Sequence, residues 1–256
     1  MKRAVIVAAS IIFVVGCNGI HKTKTKNTQY SQEIITKHCE LSPFSSLVLA
    51  GDAKVELVNG SYAIDVTGIG ADRYNCQNSA VDKILHVNKN MPGTLMRVSV
   101  PELRNITLNG NAIVSSRDFK TSKLTIIAKD YSTVNLEGQF NIDKIFQLSR
   151  GRINVSWINS NKLLIGGYDS GPICLAGVAD NMVVKLVKDA SLNARYLRTQ
   201  KTSVITADRA RAEILALDTL SAFAVDTSSI FYYKKPKNLT VVTRDSGNAL
   251  QLDSTQ

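Results

Sequence analysis

Histidine is scarce in this chain: there are three among 256 residues, His21, His38 and His86, all of them before the stretch where the sequence becomes regular. A Ser-His-Asp or Cys-His relay built wholly within that later stretch is excluded, because each needs an imidazole as its base. The four cysteines form no Cys-x-x-Cys pair and have no Cys/His spacing of the kind that holds zinc. The Gly-Gly-x-Gly-x-Asp repeat of calcium-binding rolls is also missing. After residue 40 no stretch sustains the 3.6-residue apolar period of an amphipathic helix, which leaves an all-β reading. The cations are dispersed and accompany no nucleic-acid motif, so no nucleic-acid partner is expected.

The chain begins with two cations, Lys2 and Arg3, followed by Ala4 to Gly16, an uncharged run in which Ser10 is the one polar side chain. As a helix this run reaches roughly 20 Å at about 1.5 Å per residue, short of a hydrocarbon core of about 30 Å. It therefore reads as a cleaved signal peptide over residues 1–16. Its end, Val14-Val15-Gly16-Cys17, resembles the bacterial lipobox, with Val where Leu is commoner. Cys17 is the expected lipid attachment, and its acyl chains make the bilayer a partner. One chain anchors marginally, and two or more anchor durably. Asn18 in place of Asp favours the outer membrane in a Gram-negative cell.

Residues 17–43 read as the lipidated N-terminus and a polar, flexible tether. Lys22, Lys24 and Lys26 in it are either solvated or in contact with anionic head groups. Removing the signal peptide leaves 29 cations against 21 anions, near +8. Three cysteines then remain, enough for one intramolecular bridge. Cys39 and Cys76 precede the regular region and are the candidate disulfide. Cys174, between Ile173 and Leu175, reads as a small buried or ladder residue.

From Phe44 onward short apolar or alternating runs appear, such as Ser46–Leu49 and Val55–Val58, with hairpin-type turn signals at Gly51-Asp52 and Asn59-Gly60. From about residue 103 a unit recurs: a short run, a polar turn, a second run. The turns fall at Gly110, Asp130, Arg150, Asp169, Asp189, Asp208, Asp226 and Asp245, with gaps of 18 to 20 residues. A period near 20 with two short strands and no helix predicts a β-solenoid over residues 44–252, followed by a tail at 253–256. One strand pair cannot bury its apolar side alone, so coils must stack, with their strands parallel. An antiparallel sandwich accommodates the same runs but does not explain their period.

The opening Phe44, Leu47 and Leu49, the strand-turn repeats, the segment Ile230-Phe231-Tyr232-Tyr233-Lys234-Lys235-Pro236 and the turn Asp245-Ser246-Gly247 together resemble the auto-transporter adhesin head GIN domain family. The resemblance covers roughly Phe44 to Leu252. It implies a right-handed parallel β-helix and no defined activity. Lys234 stands where the family usually has Gly, and several turns carry Asp where members have Ser-Gly. The chain leaves no room for a membrane barrel after the last repeat, so Cys17 is expected to be the sole attachment.

The turn aspartates Asp169, Asp189, Asp208, Asp226 and Asp245 admit three roles: capping tight turns, binding calcium between coils, or catalysis on polysaccharides. Lys188, Arg209 and Arg244 lie beside them and offset their repulsion without a metal. Capping is the expected role, with no catalytic residue, metal or cofactor assigned. Trp157, Tyr168, Tyr196, Tyr232 and Tyr233 either cover a sheet surface or solenoid end, which is preferred, or offer stacking faces for sugars. The expected function is a non-catalytic envelope lipoprotein whose elongated surface binds an envelope protein or a glycan. A polysaccharide lyase or hydrolase, and a structural spacer, are the alternatives. Replacing Cys17 by Ser should move the protein from the membrane to the soluble fraction of cell extracts; continued membrane association would refute the anchor.

Overall fold

The computed structural model describes residues 33–76, 81–88 and 93–252. The signal peptide, Cys17, His21, most of the tether and the tail lie outside the described residues. Residues 33–256 form one compact unit.

Six long strands build the body: β8 (Ile113–Ala128), β9 (Thr133–Gln147), β10 (Arg152–Gly167), β11 (Pro172–Leu186), β12 (Ser191–Thr206) and β13 (Arg211–Ala224). They pair in parallel, each with the next in sequence. The fold is therefore the β-solenoid expected from the period, with about eight turns. The two short runs anticipated within each coil are fused into one bent strand of 14 to 16 residues. Pairing continues through the bend, where the register shifts, for example between Ser156 and Ile158. The next coil is broken into β14 (Ser229–Tyr232) and β15 (Asn238–Thr243), and β16 (Asn248–Gln251) begins a further layer on β14.

Parallel in-register stacking puts like positions in columns about 4.8 Å apart. Val114, Val134, Ile153, Ile173, Leu192, Ala212 and Ile230 form one such inward column, each at most 1% exposed. Each large aliphatic member contributes about 1.5–3 kcal/mol through burial. Ile126, Ile145, Ile165, Val184, Val204 and Ala222 form the facing column.

Coils are joined by four-residue corners. The last corner position points inward and is small throughout: Ala112, Ser132, Gly151, Gly171, Ala190, Ala210, Ser228 and Gly247. Ala112, Ser132, Ala190, Ala210 and Ser228 are fully buried. The second position takes a positive φ at Gly110, Asp130, Lys188, Asp208, Asp226 and Asp245, a conformation that Gly and Asp tolerate better than most residues. The structural column thus contains Ser149 and Lys188, and places Arg150 and Asp189 one residue further along. Counting turn signals by residue type misplaced these two, because the chain register follows the corner backbone and not the position of the charge.

The N-terminal end does not follow chain order. The coil of β2 (Ser46–Leu49) and β3 (Lys54–Asn59) lies between β5 (Ile84–Val87) with β6 (Thr94–Val100) on one side, and β7 (Asn105–Leu108) with β8 on the other. β4 (Ala63–Ile69) runs antiparallel to β6, and β1 (Ile34–Glu40) antiparallel to β4. The turns at Gly51-Asp52 and Asn59-Gly60 therefore make no hairpin: β2, β3 and β4 do not pair with one another. β1 occupies part of the stretch read as tether, so the 17–43 assignment is corrected from residue 34. Its inward face, Ile35, Lys37 and Cys39, is interrupted by a cation, whose ammonium donates to the Asp72 and Tyr74 carbonyls at 2.8 and 2.6 Å. His38, read as a solvated tether residue, is hydrogen-bonded on this strand to Asp65 at 2.6 Å. Cys39 is joined to Cys76 (Cα–Cα 5.5 Å), tying β1 to the segment after the 3-10 turn Ala71–Arg73.

The corner carboxylates act across coils. Asp130 accepts from the Gly110 N–H (2.7 Å), Asp208 from Lys188 (2.8 Å) and Asp226 from Asp208 (2.9 Å). Asp208→Ala should cost about 2 kcal/mol, from a lost charged acceptor and a positive φ forced on alanine. Asp208→Asn, which keeps an acceptor and tolerates the φ, should cost less than half of that. Urea unfolding of both variants checks the ladder; equal losses would show that it contributes nothing.

Candidate functional site

The bend in each long strand is where the coils cease to be alike. In β10 the alternation Val155 in, Ser156 out is followed by Trp157 and Ile158 in succession. One residue too many for a period of two must bulge outward. Trp157 is that residue, with φ 64° and 67% exposure, while Ile158 returns to the core. The same pattern recurs in β12, where Arg195 and Tyr196 are both outside between buried Ala194 and Leu197, and Tyr196 is 64% exposed. Between them β11 carries Ala176 and Gly177. A Cβ on Gly177 would lie 2.2 Å from the Ile158 carbonyl oxygen, so β11 sits flush on β10 only as glycine. The two rings are consequently two layers apart, roughly 10 Å along the axis, and no side chain larger than Ala176 stands between them at the bend.

These residues line an open groove of about 1170 Å³. Its polar rim includes Lys120, Gln139, Asn141, Asn159 and Arg198, and Val178 adds an apolar surface. Lys120 is positioned by Asn59, whose amide pairs with its backbone in both directions, at 2.8 and 2.9 Å, as a neighbouring strand would. Arg195 sets its guanidinium 4.7 Å from the centre of the Tyr196 ring and steadies it. Glu102 is the one acidic side chain among the described lining residues, and the Ser122 hydroxyl donates to it.

The fold belongs to a recognised group. The family described as "Putative auto-transporter adhesin, head GIN domain" matches residues 43–236. The chain is a member of that family. Solved structures of similar fold include a "putative lipid binding protein" from Parabacteroides distasonis (16% identity, TM-score 0.72, covering 86% of this chain and 97% of that one). Another is a "putative adhesin" from Parabacteroides merdae (20% identity, TM-score 0.72, with the same coverages). A third, from Bacteroides fragilis, has 15% identity and a TM-score of 0.57, covering 87% and 96%. At these identities the likeness is one of fold. Among curated proteins none matches the chain.

In this head GIN domain the other candidate residues are dispersed. Of the five aromatics weighed as a set, Trp157 and Tyr196 share the groove and cover neither a solenoid end nor a sheet, which corrects the preferred reading for these two. Tyr232 is buried, and Tyr233 donates to Glu213 at 2.7 Å. Burial raises the Glu213 carboxyl, but the hydrogen bonds from Tyr233 and Arg211 outweigh it and leave the group below its ordinary range. Burial and the same partner raise the Tyr233 phenol. This pair, with Arg211 stacked 4.2 Å over Phe231, locks the closing segment onto β13. Asp189 is bound by Arg209 at 2.6 and 2.8 Å, and that hydrogen bond lowers its carboxyl. No three His, Cys, Asp or Glu side chains converge as a metal site among the described residues. His86 is exposed on β5, and Cys174 sits in an outward ladder between Asn154 and Asn193. Cys17 lies outside the described residues.

The positive φ at Trp157 predicts a specific order of stabilities. Trp157→Gly should be more stable than Trp157→Ala by about 1 kcal/mol, since glycine alone takes this φ without strain. That is the reverse of the usual strand preference, and chemical denaturation of the two variants reads it directly. An alanine variant equal to or better than glycine would mean that the bulge is absent in solution.

Proposed function

We propose that this head GIN domain is the body of a non-catalytic, adhesin-like envelope lipoprotein, held at the membrane through Cys17, which binds an extended glycan along the groove. The outward Trp157 carries the reading. A large aromatic that is two-thirds exposed and held at a strained φ is retained against both solvation and backbone cost. Tyr196, two coils away, supplies a second flat face, and Ala176 and Gly177 leave the floor between them open. Flat aromatic faces suit the apolar faces of sugar rings, and the amides of Gln139, Asn141 and Asn159 suit hydroxyl groups. The two-layer spacing suits stacking on alternate sugars of a chain lying along the solenoid axis.

Hydrolysis is the competing reading: glycosidic cleavage ordinarily needs two carboxylates flanking one bond, and Glu102 lines the groove while Asp118, Glu137 and Asp180 line adjoining hollows. Asp130, Asp169, Asp208 and Asp226 are engaged by backbone N–H groups and Asp189 by Arg209. Placement in the envelope is supported by the family's adhesin character and by the lipobox; among the described residues no helix is long and apolar enough to cross a membrane. Asn18 favours the outer membrane in a Gram-negative cell.

Trp157 is the chain's single tryptophan, so its fluorescence reports on the groove directly. Titrating residues 33–256 with neutral and anionic oligosaccharides of increasing length should change this emission saturably, and only once the ligand spans three or more sugars. Tyr196→Ala should weaken binding by at least tenfold without altering the unfolding midpoint. Release of shorter sugars would replace the reading with an enzyme. Absence of saturable binding to any glycan, or unaltered binding by Tyr196→Ala, would overturn it.

A further inference from the structure

The second halves of the long strands form a sheet whose inner side is the core and whose outer side is unusually apolar. In register across successive coils stand Ile127, Phe146, Gly166, Lys185, Ile205, Phe223 and Val242. Val183 lies in the adjacent column, one position away from Lys185. Val183, Ile205 and Val242 are 39%, 43% and 44% exposed. Over seven coils, roughly 30 Å at about 4.8 Å per layer, the column carries two apolar stretches, Ile127 with Phe146 and Ile205 with Phe223 and Val242, separated by Gly166 and Lys185; exposed apolar side chains grouped in this way mark an interaction site.

The charges around it select the occupant. The strand segments of this face (123–128, 143–147, 162–167, 181–186, 201–206, 219–224 and 238–243) contain five lysines, Lys123, Lys144, Lys162, Lys185 and Lys201, and one acid, Asp143. Lys123 engages Asp143 at 3.3 Å. Lys144, Lys162, Lys185 and Lys201 are exposed along the stripe with no further carboxylate in those segments. A second copy docking by the same face would bring two lysine-rich surfaces of the same net charge together, since an isologous contact uses the same patch on both copies. An apolar stripe with lysines whose long stems let the ammonium groups reach outward suits a surface that is apolar beneath and anionic above. We infer that this face lies on the surface of an anionic lipid bilayer, with the apolar column seated at the head-group boundary and the lysines on the phosphates. The inference is independent of the glycan groove, which is built at the bends and not on this sheet.

The compact unit, residues 33–256, tests this without any contribution from the N-terminal segment. It should sediment with vesicles of phosphatidylcholine mixed with phosphatidylglycerol, and far less with phosphatidylcholine alone. Binding should weaken as salt rises. Each lysine is worth about fivefold at such a surface, so Lys162→Glu with Lys201→Glu should reduce binding at least tenfold. Ile205→Asp should do likewise through the apolar column, and Trp157→Ala should change nothing. These are surface positions, so unfolding midpoints should stay close to that of the parent. Failure to bind anionic vesicles, or equal binding by the double lysine variant, overturns the inference. So does a concentration-dependent dimer in analytical ultracentrifugation that Ile205→Asp abolishes, which would assign the face to a second copy.

Discussion

A parallel β-coil must reverse its chain and rise by one layer in very few residues, and then do so again in the next coil at the same place. In this protein the reversal takes four residues, and everything above it depends on their fitting within one strand spacing. The last residue of the corner points into the core and is held to Ala, Ser or Gly. The second adopts a positive φ in six of the coils, and at Gly110, Lys188 and Asp208 its N–H donates to the carboxylate of the next coil. Asp therefore does two things at one position: it tolerates the backbone angle, and it accepts from the layer before it. Within the acidic column that invites a metal or a catalytic reading, Asp208 and Asp226 answer this demand of the backbone, Asp169 accepts from the adjacent Ser170 N–H, and Asp189 pairs with Arg209.

With the corners fixed, length variation in a coil has one place to go. The core columns hold the register on both halves of each strand, so an extra residue is pushed out at the bend. Trp157 and Tyr196 are such residues. Phe119, by contrast, stays buried opposite Gly138, which is glycine because a Cβ there would meet the Phe119 carbonyl at 1.9 Å. The groove is thus a consequence of stacking unequal bends on equal corners. Its floor is rigid because it is the ladder itself, and a site on such a floor loses little entropy when it orders a ligand.

What the sequence made legible was whatever repeats. The period near 20 and the absence of helical patterning were enough for the architecture, because both follow from local backbone requirements that each coil meets separately. Less was legible where a contact joins residues far apart. β1 was hidden because Lys37 breaks its apolar face, and only the Asp72 and Tyr74 carbonyls, more than thirty residues on, make that tolerable. The insertion of the β2–β3 coil between later strands leaves no periodic trace, since Gly51 and Gly110 stack at a sequence separation of 59. Asp189 was misassigned because an acid beside a turn looks alike at its second and third positions; its partner is Arg209, not a backbone N–H. The groove did have a signal, the two consecutive outward residues at Trp157 and at Arg195-Tyr196. It was a fault in the alternation and not a motif, and weighing aromatics as a set obscured it.

That distinction bears on how a solenoid comes to have a function at all. A residue that obeys the repeat is explained by the repeat: the inward columns by burial, the corner aspartates by the ladder, the small residues by the space between layers. None of them needs a ligand. Function should then be sought in side chains that the repeat neither requires nor welcomes. Two sets meet that test here. Trp157 keeps a backbone angle that costs of order 1–2 kcal/mol in a bulky residue, and nothing in the core is improved by it. The outer column of Ile127, Phe146, Ile205, Phe223 and Val242 keeps apolar side chains in water where the neighbouring coil asks only for a strand former. The two sets occupy different faces of one body, so the surface proposed to meet a bilayer and the groove proposed to hold a glycan do not compete for the same residues. A solenoid achieves this without a second domain, because its stability is carried by the columns inside and its outward positions are left to vary independently.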